Sequence, residues 1–238
     1  MNNEIFATGA GTWRIEDGFV RFFLLTGSER ALLIDSGAST ADARDIAGRL
    51  TDLPLTLLNT HADGDHTAGN AAFDGFYMHP EDYERCGINA KYPGCALLPL
   101  HDGDIIDLGG RELKIIAIPG HTYGSVAVLD MKDRVLYSGD SVQDGHIYMF
   151  GDKRSPERFA SSLSLLAELS GSYDRIFPSH GSPELPAGYA SRVLDAWNGV
   201  LAGTVAGRAD TMFGCEITTY DAEGCGFFCD RQLPAKAE

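Results

Sequence analysis

The chain has 238 residues, 44% hydrophobic and 22% charged, which is enough to bury the core of one large domain or of two small ones. Its 19 basic and 34 acidic side chains give a formal charge of −15, so nucleic acid and acidic membranes are disfavoured as partners. No stretch has the unbroken apolar length of a membrane span, and no secretory leader is evident, so the prediction is a cytoplasmic protein.

The first half of the chain alternates apolar runs with turns. The runs TWRIED, VRFFLLTG and RALLIDSG predict neighbouring antiparallel strands. TADARDIAGRL has the apolar spacing of a helix, with Thr40 or Asp42 as its cap. LPLTLLNT and FYMHP are predicted strands, and residues 81–100 are predicted to be loop with a short helix.

The second half returns to strands and then adds two clear helices. DIIDLGG, ELKIIAIPG, SVAVLDM and RVLYSGD are predicted strands, as is YDRIFPSHG further on. SPERFASSLSLLAEL predicts a helix with Ser155 as cap and Pro156 at its first position. GYASRVLDAWNGVLAG predicts a second helix, and ITTYDAEGCGFFCD a terminal hairpin. With no linker or repeat evident, we predict one α+β domain over residues 1–238, with two sheets and helices outside them.

The stretch THADGDH, residues 60–66, follows an apolar strand directly. One interpretation is a solvated loop in which Asp65 caps the next helix. The other is a metal site: His61, Asp63 and Asp65 are two positions apart and point the same way in an extended loop, whereas His66 points elsewhere. On the second interpretation, one loop addresses two ions.

The same pattern occurs at four predicted strand ends. LTLLNT leads to His61, IIAIPG to His121, RVLYSG to Asp140 and RIFPS to His180. Ligand sites of α/β sheets collect beyond the strand ends, where the connecting loops converge. Together with His66 of THADGDH, these positions hold four of the seven histidines, which favours a metal site over surface decoration.

The motifs THADGDH, PGHTYGS, LYSGD and FPSHG, in this order, resemble those of the metallo-β-lactamase superfamily, particularly its glyoxalase-II-like hydrolases. The resemblance runs from about Thr12 to His180 and implies a four-layer αββα sandwich with a two-metal site at one edge. It implies one ion at His61 and His121, where Asp63 replaces the family's usual histidine, a second ion at Asp65, His66 and His180, and a bridging Asp140.

The resemblance also implies an activity, a metal-dependent hydrolase that cleaves a small ester, thioester, lactone or phosphoester. Two divalent ions, zinc being favoured, generate a hydroxide and polarise the scissile group, and Asp65 orients the hydroxide as the catalytic residue. A side-chain nucleophile is then unnecessary, and the sequence has no G-x-S-x-G motif.

Asp63 opens alternatives to that prediction. A carboxylate is a harder ligand than imidazole and moves the metal preference toward iron or manganese. One alternative is therefore a dimetal iron oxidoreductase acting on oxygen, nitric oxide or a sulfur compound. Another is a weakened first site, with one ion bound. A non-catalytic protein that keeps the fold is disfavoured, because the other ligand positions are intact.

The substrate is expected to be a small molecule. His146 and Tyr148, in the irregular segment 141–151, are candidate substrate contacts, although a packed loop explains that segment equally well. Tyr123 is a candidate donor to an oxyanion. The C-terminal segment FGCEITTYDAEGCGFFCD suits either a lid or an interface, and the sequence carries no signal of oligomeric state.

The five cysteines are odd in number and match no zinc-binding spacing. Reduced thiols are the simplest prediction, and a bridge between Cys86 and Cys95 or within EGCGFFC is the alternative.

Overall fold

The computed structural model describes residues 3–39 and 42–230 and arranges their strands in three sheets. The first sheet has seven strands that follow one another in chain order. Its first four strands pair antiparallel, as the sequence predicts for TWRIED, VRFFLLTG and RALLIDSG, and the remaining pairs are parallel. The strands are β1 (Glu4–Gly9), β2 (Thr12–Asp17), β3 (Val20–Thr26), β4 (Ala31–Ile34), β5 (Leu55–Leu58), β6 (Gly75–Met78) and β7 (Ala96–Pro99).

Short helices connect the parallel strands of this sheet. They are α1 (Ala43–Gly48), α2 (Gly64–Thr67), α3 (Pro80–Arg85) and α4 (Ile88–Lys91). Asp42 occupies the N-cap position of α1 without a capping side-chain hydrogen bond, and the other predicted cap, Thr40, lies outside the described residues. Residues 81–100, predicted to be loop with a short helix, also contain the edge strand β7.

The second sheet has six strands in the order β14, β13, β11, β10, β9, β8. All four predicted strands between residues 101 and 140 belong to it, and β11 pairs in parallel with β13. Its strands are β8 (Ile105–Asp107), β9 (Glu112–Ala117), β10 (Val126–Asp130), β11 (Val135–Gly139), β13 (Arg175–Pro178) and β14 (Leu185–Pro186).

A third sheet of four strands, in the order β12, β17, β16, β15, contains the predicted terminal hairpin. Its first strand comes from the segment that the sequence left irregular, because β12 pairs, among the described strands, with the distant β17 alone. The strands are β12 (His146–Met149), β15 (Gly207–Met212), β16 (Cys215–Ala222) and β17 (Cys225–Asp230). The two long helices fall as predicted, α5 (Pro156–Glu168) and α6 (Tyr189–Leu201).

Alternation along the strands builds a four-layer sandwich. In β3, Phe22 and Leu24 pack in a cluster with α1 and α4, whereas Phe23 and Leu25 pack against the second sheet. The opposite face of the second sheet packs against α5, α6 and the third sheet, with Trp197 fully buried there. Each such apolar side chain contributes roughly 1.5–3 kcal/mol when fully buried. The predicted α+β sandwich, helix–sheet–sheet–helix, is confirmed.

All five cysteines carry free thiols, and Cys225 and Cys229 are buried in β17. Among the described residues, no helix has the length and apolar character needed to cross a membrane.

Candidate metal centre

The four strand ends marked by the sequence meet at one edge of the sandwich. His61 follows β5 of the first sheet, whereas His121, Asp140 and His180 follow β9, β11 and β13 of the second. Seven side chains form two groups, within each of which the ligand atoms all lie within 4.8 Å of one another. We call them the His61 group (His61, Asp63, His121) and the His66 group (Asp65, His66, Asp140, His180).

The His61 group brings two imidazoles and one carboxylate together. The Nε2 atoms of His61 and His121 lie 3.2 Å apart. Asp63 Oδ2 lies 3.7 Å from the first of these atoms and 3.4 Å from the second. Three donors facing one point at this spacing make a ligand set for a divalent cation.

The His66 group adds two carboxylates to two imidazoles. His180 Nε2 lies 3.3 Å from Asp65 Oδ2 and 3.2 Å from Asp140 Oδ2. The same Asp140 oxygen lies 3.5 Å from His121 Nε2 and 3.9 Å from His61 Nε2, in the other group. Asp140 therefore stands between the two groups, where the resemblance places a bridging ligand.

The segment THADGDH is not the extended loop expected from the sequence, because its second half is helical. Helix α2 begins at Gly64, and Asp63 occupies its N-cap position with an extended backbone. Asp65 therefore turns away with His66, and their side chains lie 3.6 Å apart, whereas Asp63 stays with His61. The expectation that Asp63 and Asp65 point the same way is wrong, because a helical turn separates them. The alternative of Asp65 as the cap is also wrong, since that residue lies in the first turn.

Each ligand histidine has its Nδ1 atom held by an oxygen. Nδ1 of His61 contacts Thr60 Oγ1 at 3.0 Å, and that of His66 contacts Asp35 Oδ2 at 2.8 Å. Those of His121 and His180 contact the carbonyl oxygens of Tyr148 and Phe19, at 3.0 and 2.9 Å. A carbonyl or carboxylate oxygen only accepts, and the Thr60 hydroxyl accepts from His61 because it donates its own hydrogen to Asp35. In all four histidines Nδ1 therefore carries the hydrogen and Nε2 points its lone pair into the centre, as metal-binding histidines require.

Asp35 is a site residue that the sequence analysis missed. It directly follows β4, and its carboxylate accepts hydrogen bonds from Thr60 N and Thr60 Oγ1, both at 2.8 Å, besides contacting His66. Its backbone has a positive φ of 64°, a strained conformation that tends to occur at functional sites. The signal was present in the sequence: RALLIDSG is a fifth apolar strand that ends in a metal-capable residue.

Asp82, in α3, is a second missed residue and had no sequence signal. Its buried carboxylate accepts hydrogen bonds from Ala62 N at 2.8 Å, Gly124 N at 2.7 Å and Thr122 Oγ1 at 2.9 Å. It therefore ties the loop that carries His61 to the loop that carries His121. The three donors come from loops that follow strands of two different sheets, which local sequence does not reveal.

Gly139 allows Asp140 its position. Its φ is +53°, and a Cβ atom built there would lie 2.9 Å from Thr60 Oγ1, which hydrogen-bonds to Asp35 and His61. Glycine is thus required on two counts, the left-handed backbone and the close approach.

Charges in the centre shift the pKa values in opposite directions. Burial, and then the neighbouring His66, hold the pKa of His61 well below its usual value, which favours a neutral ligand. Burial also lowers the pKa of His180, but Asp140 and Asp65 outweigh it and raise that pKa to about 10. Burial raises the pKa of Asp140, but His180 and His66 hold it well below its usual range. The carboxylates of Asp65 and Asp140 therefore favour positive charge close to them in the centre.

The donor set fits divalent cations. His66 Nε2 and Asp140 Oδ1 are buried and have no hydrogen-bond partner among the described residues, although they lie 3.3 Å apart. Buried polar atoms are rarely left unsatisfied, and a metal ion bound by both removes that cost. Three imidazole or carboxylate ligands on one side, and four on the other, match the ligand types of zinc, manganese and iron sites.

A cavity of about 490 Å³ opens onto the centre. Five ligand residues contribute to its lining, and its remaining walls combine aromatic rings with two cations. These wall residues are Phe19, Tyr148, Phe150, Phe213, Lys153 and Arg154.

The three residues predicted to contact substrate fall in different places. Tyr148 lines the cavity. His146 lies on the third sheet instead, where its Nε2 contacts Asp221 at 2.8 Å and its ring stacks on Phe228. Tyr123 lies under the guanidinium of Arg158, 5.2 Å from its ring centre. His146 and Tyr148 are two positions apart in β12 and so lie on the same face of the strand. Of these two residues, Tyr148 alone lines the cavity.

Comparisons with known proteins agree with the fold. The profile of the metallo-beta-lactamase superfamily matches residues 15–180. The acyl-coenzyme A thioesterase MBLAC2 of Gallus gallus is 28% identical over 216 residues, covering 72% of this chain and 78% of the relative. The hydroxyacylglutathione hydrolase of Francisella tularensis is 27% identical over 159 residues, covering 66% of this chain and 61% of the relative.

Solved structures show the same fold. A metallo-beta-lactamase from Pontibacter korlensis superposes with a TM-score of 0.70 at 17% identity, covering 83% of this chain and 99% of that one. A metallo-beta-lactamase family protein from Thermus thermophilus has a TM-score of 0.65 at 20% identity, covering 82% of each chain.

The chain belongs to the metallo-beta-lactamase superfamily. It is a metal-dependent hydrolase with the fold of that family.

Proposed function

We propose that this hydrolase cleaves thioesters that join an apolar acyl group to a small anionic thiol. The observation that carries the proposal is the aromatic cavity that opens onto the metal centre and is lined by five of its seven ligand residues. An acyl chain lying along the rings places its carbonyl carbon at the centre. The names of the two relatives, an acyl-coenzyme A thioesterase and a hydroxyacylglutathione hydrolase, support the same bond type.

The chain's own residues would hold two divalent cations, one in the His61 group and one in the His66 group, with Asp140 shared. When bound, such cations acidify water and polarise a carbonyl oxygen. Zinc is the proposed metal, since imidazoles dominate the set. Asp65 lines the cavity floor, and its carboxylate accepts a hydrogen bond from the attacking water and orients it.

Tyr148 provides the polar contact on the cavity wall. Burial, together with Asp65 and Asp140, raises the pKa of this tyrosine, so its hydroxyl stays protonated at neutral pH. It therefore serves as a hydrogen-bond donor to the oxyanion and not as a strong general acid. A thiolate leaves readily without a general acid, because thiols, with a pKa of about 8.5, are far more acidic than simple alcohols. A cavity wall that offers a hydrogen-bond donor but no strong general acid thus favours a thioester over an ester of a simple alcohol.

Lys153 supplies positive charge beside the cavity. The chain as a whole is strongly acidic, at −15, so a half-buried lysine in the lining is a local exception. Arg154 already binds Asp63, at 2.6 Å, which leaves Lys153 as the cation that meets a phosphate or carboxylate of the thiol portion.

The test compares one acyl group in several linkages. Purified protein loaded with zinc is assayed against an acyl-coenzyme A, an acyl glutathione, the matching oxygen ester, a lactone and a phosphodiester. We expect kcat/KM for the preferred thioester to exceed that for the oxygen ester by at least about tenfold, equal to about 1.4 kcal/mol. Asp65→Asn, as the matched inactive variant, should lose most of the activity while keeping its fold.

Two outcomes would overturn the proposal. A lactone or phosphodiester cleaved faster than every thioester would assign the hydrolase to another bond. Protein that purifies with two irons and consumes oxygen or nitric oxide would favour the oxidoreductase alternative that Asp63 raises.

A further inference from the structure

Asp63, which stands where the family usually has histidine, forms a largely buried ion pair with Arg154. Arg154 Nη2 lies 2.6 Å from Asp63 Oδ2, and both side chains are largely buried, at 11% and 19% exposure. The other terminal nitrogen, Nη1, donates to the carbonyl oxygen of His121 at 2.7 Å. The guanidinium therefore donates hydrogen bonds to two of the three residues of the His61 group.

Arg154 and a metal ion in the His61 group would bind the same oxygen atom of Asp63. Asp63 Oδ2 is the oxygen that faces Nε2 of both His61 and His121, and it is also the oxygen that accepts the hydrogen bond from Arg154. A cation bound by the His61 group must share this oxygen with the guanidinium. A metal–oxygen bond of about 2.0–2.2 Å would bring two positive charges close together in a buried place, where screening is weak.

In the part of the chain that the structure describes, no arginine or lysine pairs with a carboxylate of the His66 group. Among the described residues, the carboxylates of Asp65 and Asp140 form their ion pairs only with histidines. The Nε2 atoms of these histidines are themselves ligand atoms for a cation, whereas a guanidinium has no lone pair to offer and stays charged. The two groups therefore differ in electrostatic attraction although they share Asp140.

Local anchoring keeps Arg154 in place. The next residue, Ser155, donates its backbone N–H to Gly120 O at 2.8 Å, and Gly120 directly precedes His121. The backbone of Arg154 also turns back onto Gly151, at 3.2 Å. The arginine is thus part of the framework of the centre and not a surface side chain that happens to reach it.

We propose that Arg154 makes the two metal sites unequal: the His66 group binds one ion tightly, and the His61 group binds a second ion weakly because Arg154 already occupies Asp63. Arg154 is a positioning residue in this scheme. The inference rests on the metal dependence of the superfamily and not on the substrate, so failure of the thioester proposal would leave it intact.

The first test uses the unmodified protein and no activity assay. Metal-free protein labelled with ¹⁵N at its histidines is titrated with zinc and followed by NMR. With one equivalent of zinc, the ring signals of His66 and His180 should shift, and those of His61 and His121 should shift only with the second equivalent. Simultaneous shifts of all four, or His61 and His121 shifting first, would overturn the proposal.

The second test measures both dissociation constants by zinc titration against a competing chelator. Arg154→Met should tighten the weaker site by at least about tenfold, equal to about 1.4 kcal/mol, and leave the tight site unchanged. The unchanged tight site also reports that the variant is folded. Asp63→Asn, which leaves Arg154 in place, should abolish binding of the second ion.

Arg158→Met is the matched control. This exposed arginine is close to Arg154 in sequence, but it contacts Glu81 and the ring of Tyr123 and not the centre. It should change neither constant. If Arg154→Met binds the second ion no more tightly than Arg158→Met does, Arg154 does not weaken the site and the proposal fails.

Discussion

At the scale of single residues, the centre depends as much on the side chains behind the ligands as on the ligands. Four histidines point Nε2 inward because four different oxygens hold their Nδ1 atoms. Asp35 and Asp82 belong to neither ligand group, yet they fix the loops that carry the ligands. Such supporting residues set ligand orientation and commonly affect metal affinity.

Asp82→Ala should destabilise the protein strongly. The change leaves buried donors of Ala62, Thr122 and Gly124 without their acceptor, at a cost of roughly 1–3 kcal/mol for each unsatisfied group and about 3 kcal/mol or more in total. Urea unfolding of the zinc-loaded protein measures the loss. The control is Asp74→Ala, an exposed aspartate, which should change the free energy of unfolding by less than about 0.5 kcal/mol. Equal stability of the two variants would contradict the assigned role of Asp82.

The cysteines should react with thiol reagents in an order set by exposure and pKa. Burial raises the pKa of Cys225 to about 11, and that of Cys229 to about 12, whereas Cys215 is exposed. Since the thiolate is the reactive form, Cys215 should be modified first near pH 8, with the two buried thiols at least about 100-fold slower. Their rates should rise with pH because each is mostly protonated below its raised pKa.

Mass spectrometry of the digested, modified protein assigns the sites. Cys215→Ser serves as the control and should remove the fast phase alone. Modification of Cys225 or Cys229 as rapid as that of Cys215 in folded protein would show that the third sheet opens readily.

At the scale of elements, the hairpin of β15 and β16 connects the third sheet to the cavity. Met212 pairs with Cys215, so Phe213 and Gly214 form a two-residue turn, and both have positive φ, 51° and 80°. Turns of this kind favour Asn-Gly, and a bulky aromatic residue in the first position is strained. Phe213 is also 84% exposed, yet its ring lines the cavity and lies 6.4 Å from that of Tyr148. A strained, exposed ring beside a cavity is consistent with a contact to substrate.

Phe213→Asn should therefore stabilise the protein and impair binding of long acyl chains. Relief of the turn strain should increase the free energy of unfolding by about 0.5–1 kcal/mol. Loss of the ring should raise KM for long-chain thioesters several-fold and leave short-chain thioesters unchanged. Thermal melts and a series of chain lengths provide the two measurements.

Phe213→Leu is the matched variant, because it keeps an apolar contact but not the preferred turn residue. It should preserve most of the chain-length preference without the gain in stability. A chain-length profile identical in the wild type and Phe213→Asn would show that the hairpin does not contact the acyl group.

At the scale of the whole molecule, the metal centre closes one edge of the sandwich. Its ligands come from strand ends in both central sheets, so the ions would cross-link the two halves of the fold. Without them, the carboxylates of Asp63, Asp65 and Asp140 remain together in a largely buried place. Bound ions should therefore stabilise the native state by mass action.

Removal of metal should lower the melting temperature by about 10 °C. The reason is that free metal at about 1,000 times its Kd adds about 4 kcal/mol of stability, and each kcal/mol corresponds to about 2–4 °C for a chain of this size. Calorimetry before and after chelation, followed by zinc re-addition, measures the change. An unchanged melting temperature with confirmed loss of metal would contradict the cross-linking role.

Several features were predictable from the sequence because they are local. Alternating apolar runs and helical spacing located most strands and both long helices. The predicted ligands stood immediately after strands, where loops converge, and all seven are brought together in the two groups. A single domain over residues 1–238 and a cytoplasmic location stay predictions.

Tertiary structure decided the features that join distant parts of the chain. Strand β12 exists because it pairs with β17, and Asp82 matters because three donors from two loops reach it. The pairing of Asp63 with Arg154, far along the chain, determines whether the extra carboxylate of THADGDH is free to bind an ion. The sequence by itself determined which residues leave the strands as potential ligands, since local pattern governs where strands end. Only the fold decided which charges face each other, because Coulomb interactions depend on distance in space and not along the chain.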